Sequence, residues 1–126
     1  MGVVIHGKDY PLRDIGNVSL GDAMVGVDLS VQALAVLLRL QRNLPVDRKK
    51  GIEAIIAYFE YCLPSIKREV LAAATISERT LPVALQVELE NKLIPFGIAL
   101  LDRYPELWAH HEQRMREEGL SGDRIG

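Results

Sequence analysis

The sequence predicts a mainly α fold, a short N-terminal β-hairpin followed by a compact bundle of about five helices, and three observations carry that prediction. Apolar residues recur at helical spacing through most of the chain. Serines stand at the starts of the first such segments, where a side-chain oxygen can cap the open backbone N–H groups of a helix. Only the first dozen residues have the plain signature of a strand pair, two short β-compatible runs about a Gly-Lys step.

In the hairpin, spanning residues 2–13, Val3-Val4-Ile5-His6 and Asp9-Tyr10-Pro11-Leu12 flank Gly7-Lys8, and glycine in the first of two loop positions suits a type II′ turn. Pro11 points to an edge position for the second strand. Two strands alone are marginal in water, so the hairpin has to lie on helices, join a neighbouring sheet or receive a partner's strand. Ser19 and Ser30 each read as an N-cap, the first leading into Leu20-Gly21-Asp22-Ala23-Met24 and the second into VQALAVLLRLQRNL, whose nearly all-round apolarity predicts a central helix ended by Asn43-Leu44-Pro45.

From Asp47 the positions Ile52, Ile55, Ile56 and Phe59 follow one helical stripe with Glu53 and Glu60 opposite, and Pro64 kinks that helix or opens another running from Ser65 to about Ala74. Residues 81–90 alternate apolar and polar like a strand. Their Ala, Leu, Gln and Glu content and the spacing of Leu85, Leu89 and Leu93 favour a helix instead, broken at Pro95. A last helix starts at Pro105 and ends at Gly119. After Ala109 it offers little to a core, so it is expected to project partly into solvent on i, i+4 pairs such as Glu112 with Arg116 and Arg114 with Glu118. The organisation is one domain: hairpin, a helical body over 19–104, the projecting helix over 105–119, and a loose tail over 120–126.

A chain of 126 residues with 48% apolar and 25% charged residues can bury roughly two thirds of its unfolded surface, enough for a core without staples. Cys62 is its only cysteine, so no intrachain disulfide forms and a reducing, cytoplasmic location is expected. Lys8, Asp9 and Asp14 interrupt the N-terminus before a signal-peptide core could form, and the longest unbroken apolar stretch, Ala33 to Leu38, is too short to span a bilayer, so no membrane partner is expected. With a net charge of −2, the chain has no global attraction for nucleic acid. The local basic stretch Arg39, Arg42, Arg48, Lys49 and Lys50 lacks interleaved aromatics and reads as a helix end followed by a polar loop and helix start.

No catalytic residues emerge. Cys62 lies in Tyr61-Cys62-Leu63-Pro64 at an apolar helix end, where buried cysteine is inert, and no G-x-S-x-G, Walker or G-x-G-x-x-G pattern supplies a nucleophile elbow or a phosphate cradle. His110-His111 with Glu106 makes at most a partial helix-face metal site, short of the four ligands of structural zinc, so neither metal nor organic cofactor is expected. Trp108, with Leu107 beside it and Met115 two turns on, stands where core gives way to solvent. Together with the hairpin's Val3, Ile5 and Tyr10, these residues are the candidates for binding a protein partner.

Val4-Ile5-His6-Gly7-Lys8-Asp9-Tyr10-Pro11-Leu12, followed by Ser19-Leu20-Gly21-Asp22 and a leucine-rich helix, resembles the tail assembly chaperones of long-tailed bacteriophages over about the first third of the chain. The resemblance implies a non-catalytic cytoplasmic protein of the infected cell that coats the tape-measure protein and helps recruit tail-tube subunits; the hairpin's unpaired edges and the last helix leaving the core add the expectation that it acts as an oligomer or in multiple copies. A structural subunit of the phage particle and a small regulatory, antitoxin-like binding module are the alternatives. Because His110-His111 has no companion ligands in the sequence, treatment with a metal chelator is expected to leave the melting temperature unchanged; a large drop would show a structural metal.

Overall fold

The computed structural model describes residues 2–75 and 80–120. Strands β1 (Gly2–Ile5) and β2 (Lys8–Pro11) pair antiparallel with Val3 opposite Tyr10 and Ile5 opposite Lys8. The loop residues are therefore His6 and Gly7, not Gly7 and Lys8, and both have the positive φ, 52° and 75°, of a type I′ turn. Pro11 explains the register. In a two-residue hairpin the pair flanking the loop exchanges hydrogen bonds and the pattern alternates outward, so the observed register sets Pro11 opposite Gly2 at a non-hydrogen-bonded position. The expected turn would have required Pro11 to donate an N–H it does not have.

After a 3₁₀ turn at Ile15–Asn17, helix α1 runs without interruption from Leu20 to Gln41. The Ser19 Oγ accepts from the Asp22 N–H at 3.2 Å and starts it. Ser30, expected to cap a second helix, lies buried within α1 because the apolar pattern continues unbroken through it. Asn43 in the left-handed region (φ 57°) ends the helix, with the Leu44 N–H reaching back to the Arg39 carbonyl at 2.9 Å. At 22 residues and mean hydropathy 1.7, α1 is long and apolar enough by those measures to cross a membrane; half of that stretch is buried inside this fold, where α1 is the axis on which α2, α5 and α6 pack.

Helix α2 (Arg48–Cys62) is capped by the Asp47 carboxylate on the Lys50 N–H, and it buries the stripe Ile52, Ile55, Ile56 and Phe59 read from its spacing. Helix α3 (Arg68–Ala74) begins four residues after Pro64, three later than the expected start at Ser65, and its first residue, Arg68, grips both Glu53 and Glu60 of α2. Residues 81–90 contain helix and no strand: α4 (Val83–Glu88) buries Leu85 and exposes Val83 and Val87.

Pro95 does not break the chain's course as expected. The backbone widens into a π-helical segment, Leu89–Leu93, with the Ile94 N–H bonded to the Leu89 carbonyl, and continues directly into α5 (Ile94–Arg103). The wider turn takes up the lost N–H and the ring that would crowd the carbonyl four residues back. A second 3₁₀ turn, Pro105–Leu107, leads into α6 (Trp108–Glu117).

Helix α6 has no buried residue, in keeping with its polar sequence, but it is tied along α1 and does not stand free. His110 Nε2 lies 2.7 Å and Arg114 Nε 3.3 Å from the same Asp28 carboxylate oxygen of α1, Arg39 donates to the Glu118 carbonyl at 3.3 Å, and Leu120 beyond its end is buried. The polar residues that suggested a solvated helix instead form an ionic seam with α1. The expected pairs of Arg116 with Glu112, at 3.5 Å, and Arg114 with Glu118, at 3.8 Å, are also present. The predicted loose tail at 121–126 lies outside the described residues.

The helices meet through small residues. A Cβ on Gly26 of α1 would lie 2.6 Å from the Tyr61 ring of α2, and one on Gly97 of α5 would lie 2.5 Å from the Ser30 hydroxyl. Gly97→Ala is therefore expected to cost about 1–3 kcal/mol by overpacking. Gly21→Ala, where nothing stands within 4 Å of the added methyl, is expected to be neutral or to stabilise by up to about 1 kcal/mol. Urea denaturation of the two variants decides; equal midpoints would mean that α5 shifts freely against α1.

Candidate protein-binding surface

A partner needs side chains or backbone edges that the fold has not already used. Most of the hairpin has been used. Val3, Ile5 and Tyr10, expected to meet a partner, form its inner face and are buried in the core with α1 and α2 side chains; Val4 is the apolar residue of β1 that points out. The backbone edge of β1 is partly occupied too. Lys92 of the π-helical segment donates to the Gly2 carbonyl at 2.7 Å while pairing with Glu88 at 3.0 Å. The outer strand β2 has Lys8, Asp9 and Pro11, residue types that discourage strand addition. Reading the hairpin as a partner's docking edge is thus corrected: its apolar face was needed to close this chain's own core.

Of the candidates near the C-terminus, Leu107 is buried and anchors the turn before α6, Met115 is half-buried, and Trp108 is 42% exposed with its ring edge-on to His111 at 5.7 Å between centroids. Trp108 remains a surface residue. The residues that sequence reasoning missed lie on α1 and α4: Leu20 and Met24, each 41% exposed, with Val25 beside them, and the pair Val83 and Val87. The spacing of Leu20 and Met24 after the Ser19 cap is a legible i, i+4 signal, but an apolar stripe at a helix start reads as core when the neighbouring helices are unknown.

The chemistry elsewhere is quiet. Burial pushes the Cys62 thiol up to about 12, against the smaller opposing pull of the Tyr58 hydroxyl and Arg13, so the sulfur stays protonated at neutral pH. Burial likewise raises Tyr58 and takes Tyr61 to about 12. Burial lowers His111, whose Nδ1 is enclosed with no hydrogen-bond partner among the described residues, while its neighbour His110 is held by Asp28. Among the described residues, no group of three or more His, Cys, Asp or Glu side chains stands close enough to hold a metal ion.

The basic stretch is divided by its surroundings. Arg39 faces Glu118, and Lys50 shares with it an open cleft of about 380 Å³ whose floor is Val36, Val46 and Ala54 and whose rim includes Asp47 and Glu118. Mixed charge over an apolar floor suits another protein's side chains better than a phosphate backbone. Comparison with family models, with curated proteins and with solved structures finds no match to this chain.

The raised groups set an alkaline limit. A thiol or phenol whose folded pKa exceeds its unfolded value binds more protons when folded, so its contribution is complete below the unfolded value, near 8.5 for cysteine, and is lost as pH rises toward about 12. Thermal stability is expected to fall above pH 9 through Cys62 and Tyr58. At pH 8, Cys62 should react with iodoacetamide only as fast as the protein unfolds; rapid labelling of the native chain would contradict its burial.

Proposed function

We propose that this chain is a non-catalytic protein-binding protein, acting in the cytoplasm of an infected cell as a tail assembly chaperone that binds the tape-measure protein of a long-tailed phage. The observation that carries the protein-binding reading is the pair Leu20 and Met24, one turn apart on the same face of α1 and each 41% exposed. Leaving such a group in water has a cost that a partner's apolar side chains remove, at about 25 cal/mol for each Å² covered. Trp108, 42% exposed, is of the residue type that most often anchors an interface.

The chaperone reading adds the N-terminal resemblance to this surface. A tape-measure protein is long, helical and aggregation-prone, so a chaperone for it needs a modest apolar surface used in many copies along the chain. A net charge of −2 keeps nucleic acid a weak competitor for the same surface. The alternatives are a subunit that stays in the particle and a small regulatory binding module.

Co-expression with the tape-measure protein of the same phage is expected to keep that protein soluble and to yield a co-purifying complex. Met24→Glu and Trp108→Glu, both at exposed positions, should each weaken the effect while leaving the circular dichroism spectrum intact. Ile5, being buried, is unsuitable for this test. If the tape-measure protein is equally soluble without this chain, the chaperone reading fails; recovery of the chain in purified particles would favour the structural subunit.

A further inference from the structure

Helix α6 differs from every other long helix in what holds it. None of its residues is buried, whereas α2 and α5 each enclose several large side chains. Its attachment to α1 consists of His110 and Arg114 on Asp28 at one end and Arg39 on Glu118 at the other, with Leu107 and Leu120 as apolar pins just outside its limits. Partly exposed pairs of this kind are individually weak, so α6 is held less firmly than α2 and α5.

The stretch of α1 between those ties is apolar on one side. On α1 the positions Leu20, Met24, Val31 and Ala35 fall within about 60° of one another around the axis and extend for about 22 Å. The first two are exposed. The last two are each 1% exposed, lie between the points where α6 is pinned, and do not belong to the central core cluster. One stripe thus begins in the open and continues into the buried stretch of α1 between the two points where α6 is tied, flanked by an acid at Asp28 and a base at Arg39.

The geometry points to α6 as a displaceable strap over this stripe, and to an amphipathic helix with the same charge order, basic toward Asp28 and acidic toward Arg39, as the partner that takes its place. This rests on the protein-binding reading and specifies its site and regulation. The partner gains a first foothold on Leu20 and Met24 without any rearrangement. It then competes with α6 for Val31, Ala35 and the two charges, and α6 swings on the Tyr104-Pro105 junction, where the chain leaves helical geometry (Tyr104 φ −126°, ψ 76°). In the absence of a partner, α6 keeps Val31 and Ala35 out of water.

Hydrogen exchange on the full chain should show α6 amides exchanging well ahead of those in the middles of α1 and α2; equal protection would overturn the proposal. The second measurement uses as probe a fluorescein-labelled synthetic peptide of this chain's own residues 105–120, followed by anisotropy. The double variant His110→Ala/Arg114→Ala, or Leu120→Ser if the first does not fold, should bind that peptide at least tenfold more tightly than the wild-type chain does. A peptide with the charges at positions 110, 114 and 118 inverted should not bind. A folded variant that binds no better than wild type, or that binds the inverted peptide equally, overturns the proposal. The peptide measurement is independent of the tape-measure protein, so failure of the chaperone reading and failure of the strap give different results.

Discussion

The close approach of two helices to α1 is the constraint on which the rest of this structure depends. At Gly26 the Tyr61 ring of α2 occupies the space a side chain would take, and at Gly97 the backbone of α5 comes down on the Ser30 hydroxyl. With both contacts made through small residues, α1 can bury side chains against α2 and α5 together and serve as a common axis. Interior packing at crystal-like density makes such contacts unforgiving, since a single methyl has nowhere to go.

Close packing brings backbone and hydroxyl groups into the interior, and tyrosines satisfy them. Tyr61 donates to the Asp22 carbonyl at 2.6 Å, Tyr104 to the Val18 carbonyl at 2.6 Å, and Tyr58, fully buried, to the Leu93 carbonyl in the π-helical segment. Each bond joins segments distant in sequence, and the buried Tyr58 hydroxyl would cost about 1–3 kcal/mol if left unpaired inside. The π-helical segment belongs to the same economy of backbone groups. It lets the chain pass Pro95 without leaving the helix and presents a carbonyl to Tyr58.

Around α1 the seams differ in kind. Those with α2 and α5 are apolar, and each fully buried Ile, Leu or Phe there contributes about 1.5–3 kcal/mol. The seam with α6 is ionic, and its pairs contribute about 0–1 kcal/mol each. The first two seams make one apolar body, and α6 is joined to it by charge pairs together with Leu107 and Leu120, buried on either side of the helix.

Much of this was legible in the sequence. The all-round apolarity of residues 31–38, the Ile52 to Phe59 stripe and the Leu85, Leu89, Leu93 spacing determined which segments become helices and which of their residues are enclosed, because helical period and side-chain hydrophobicity are local properties. The Ser19 cap was equally plain. Only the tertiary structure decided what those segments do to one another. What Ser30 packs against inside α1 depends on Gly97, sixty-seven residues away. Whether Val3, Ile5 and Tyr10 greet a partner or close a core depends on which face of the hairpin the helices leave uncovered. The charges of α6 read as solvated until Asp28 and Arg39 stand opposite them, since a charge pattern on one helix is silent about its complement on another. That is why the proposed binding surface on α1 could not be read from spacing alone: it consists of what long-range packing left over.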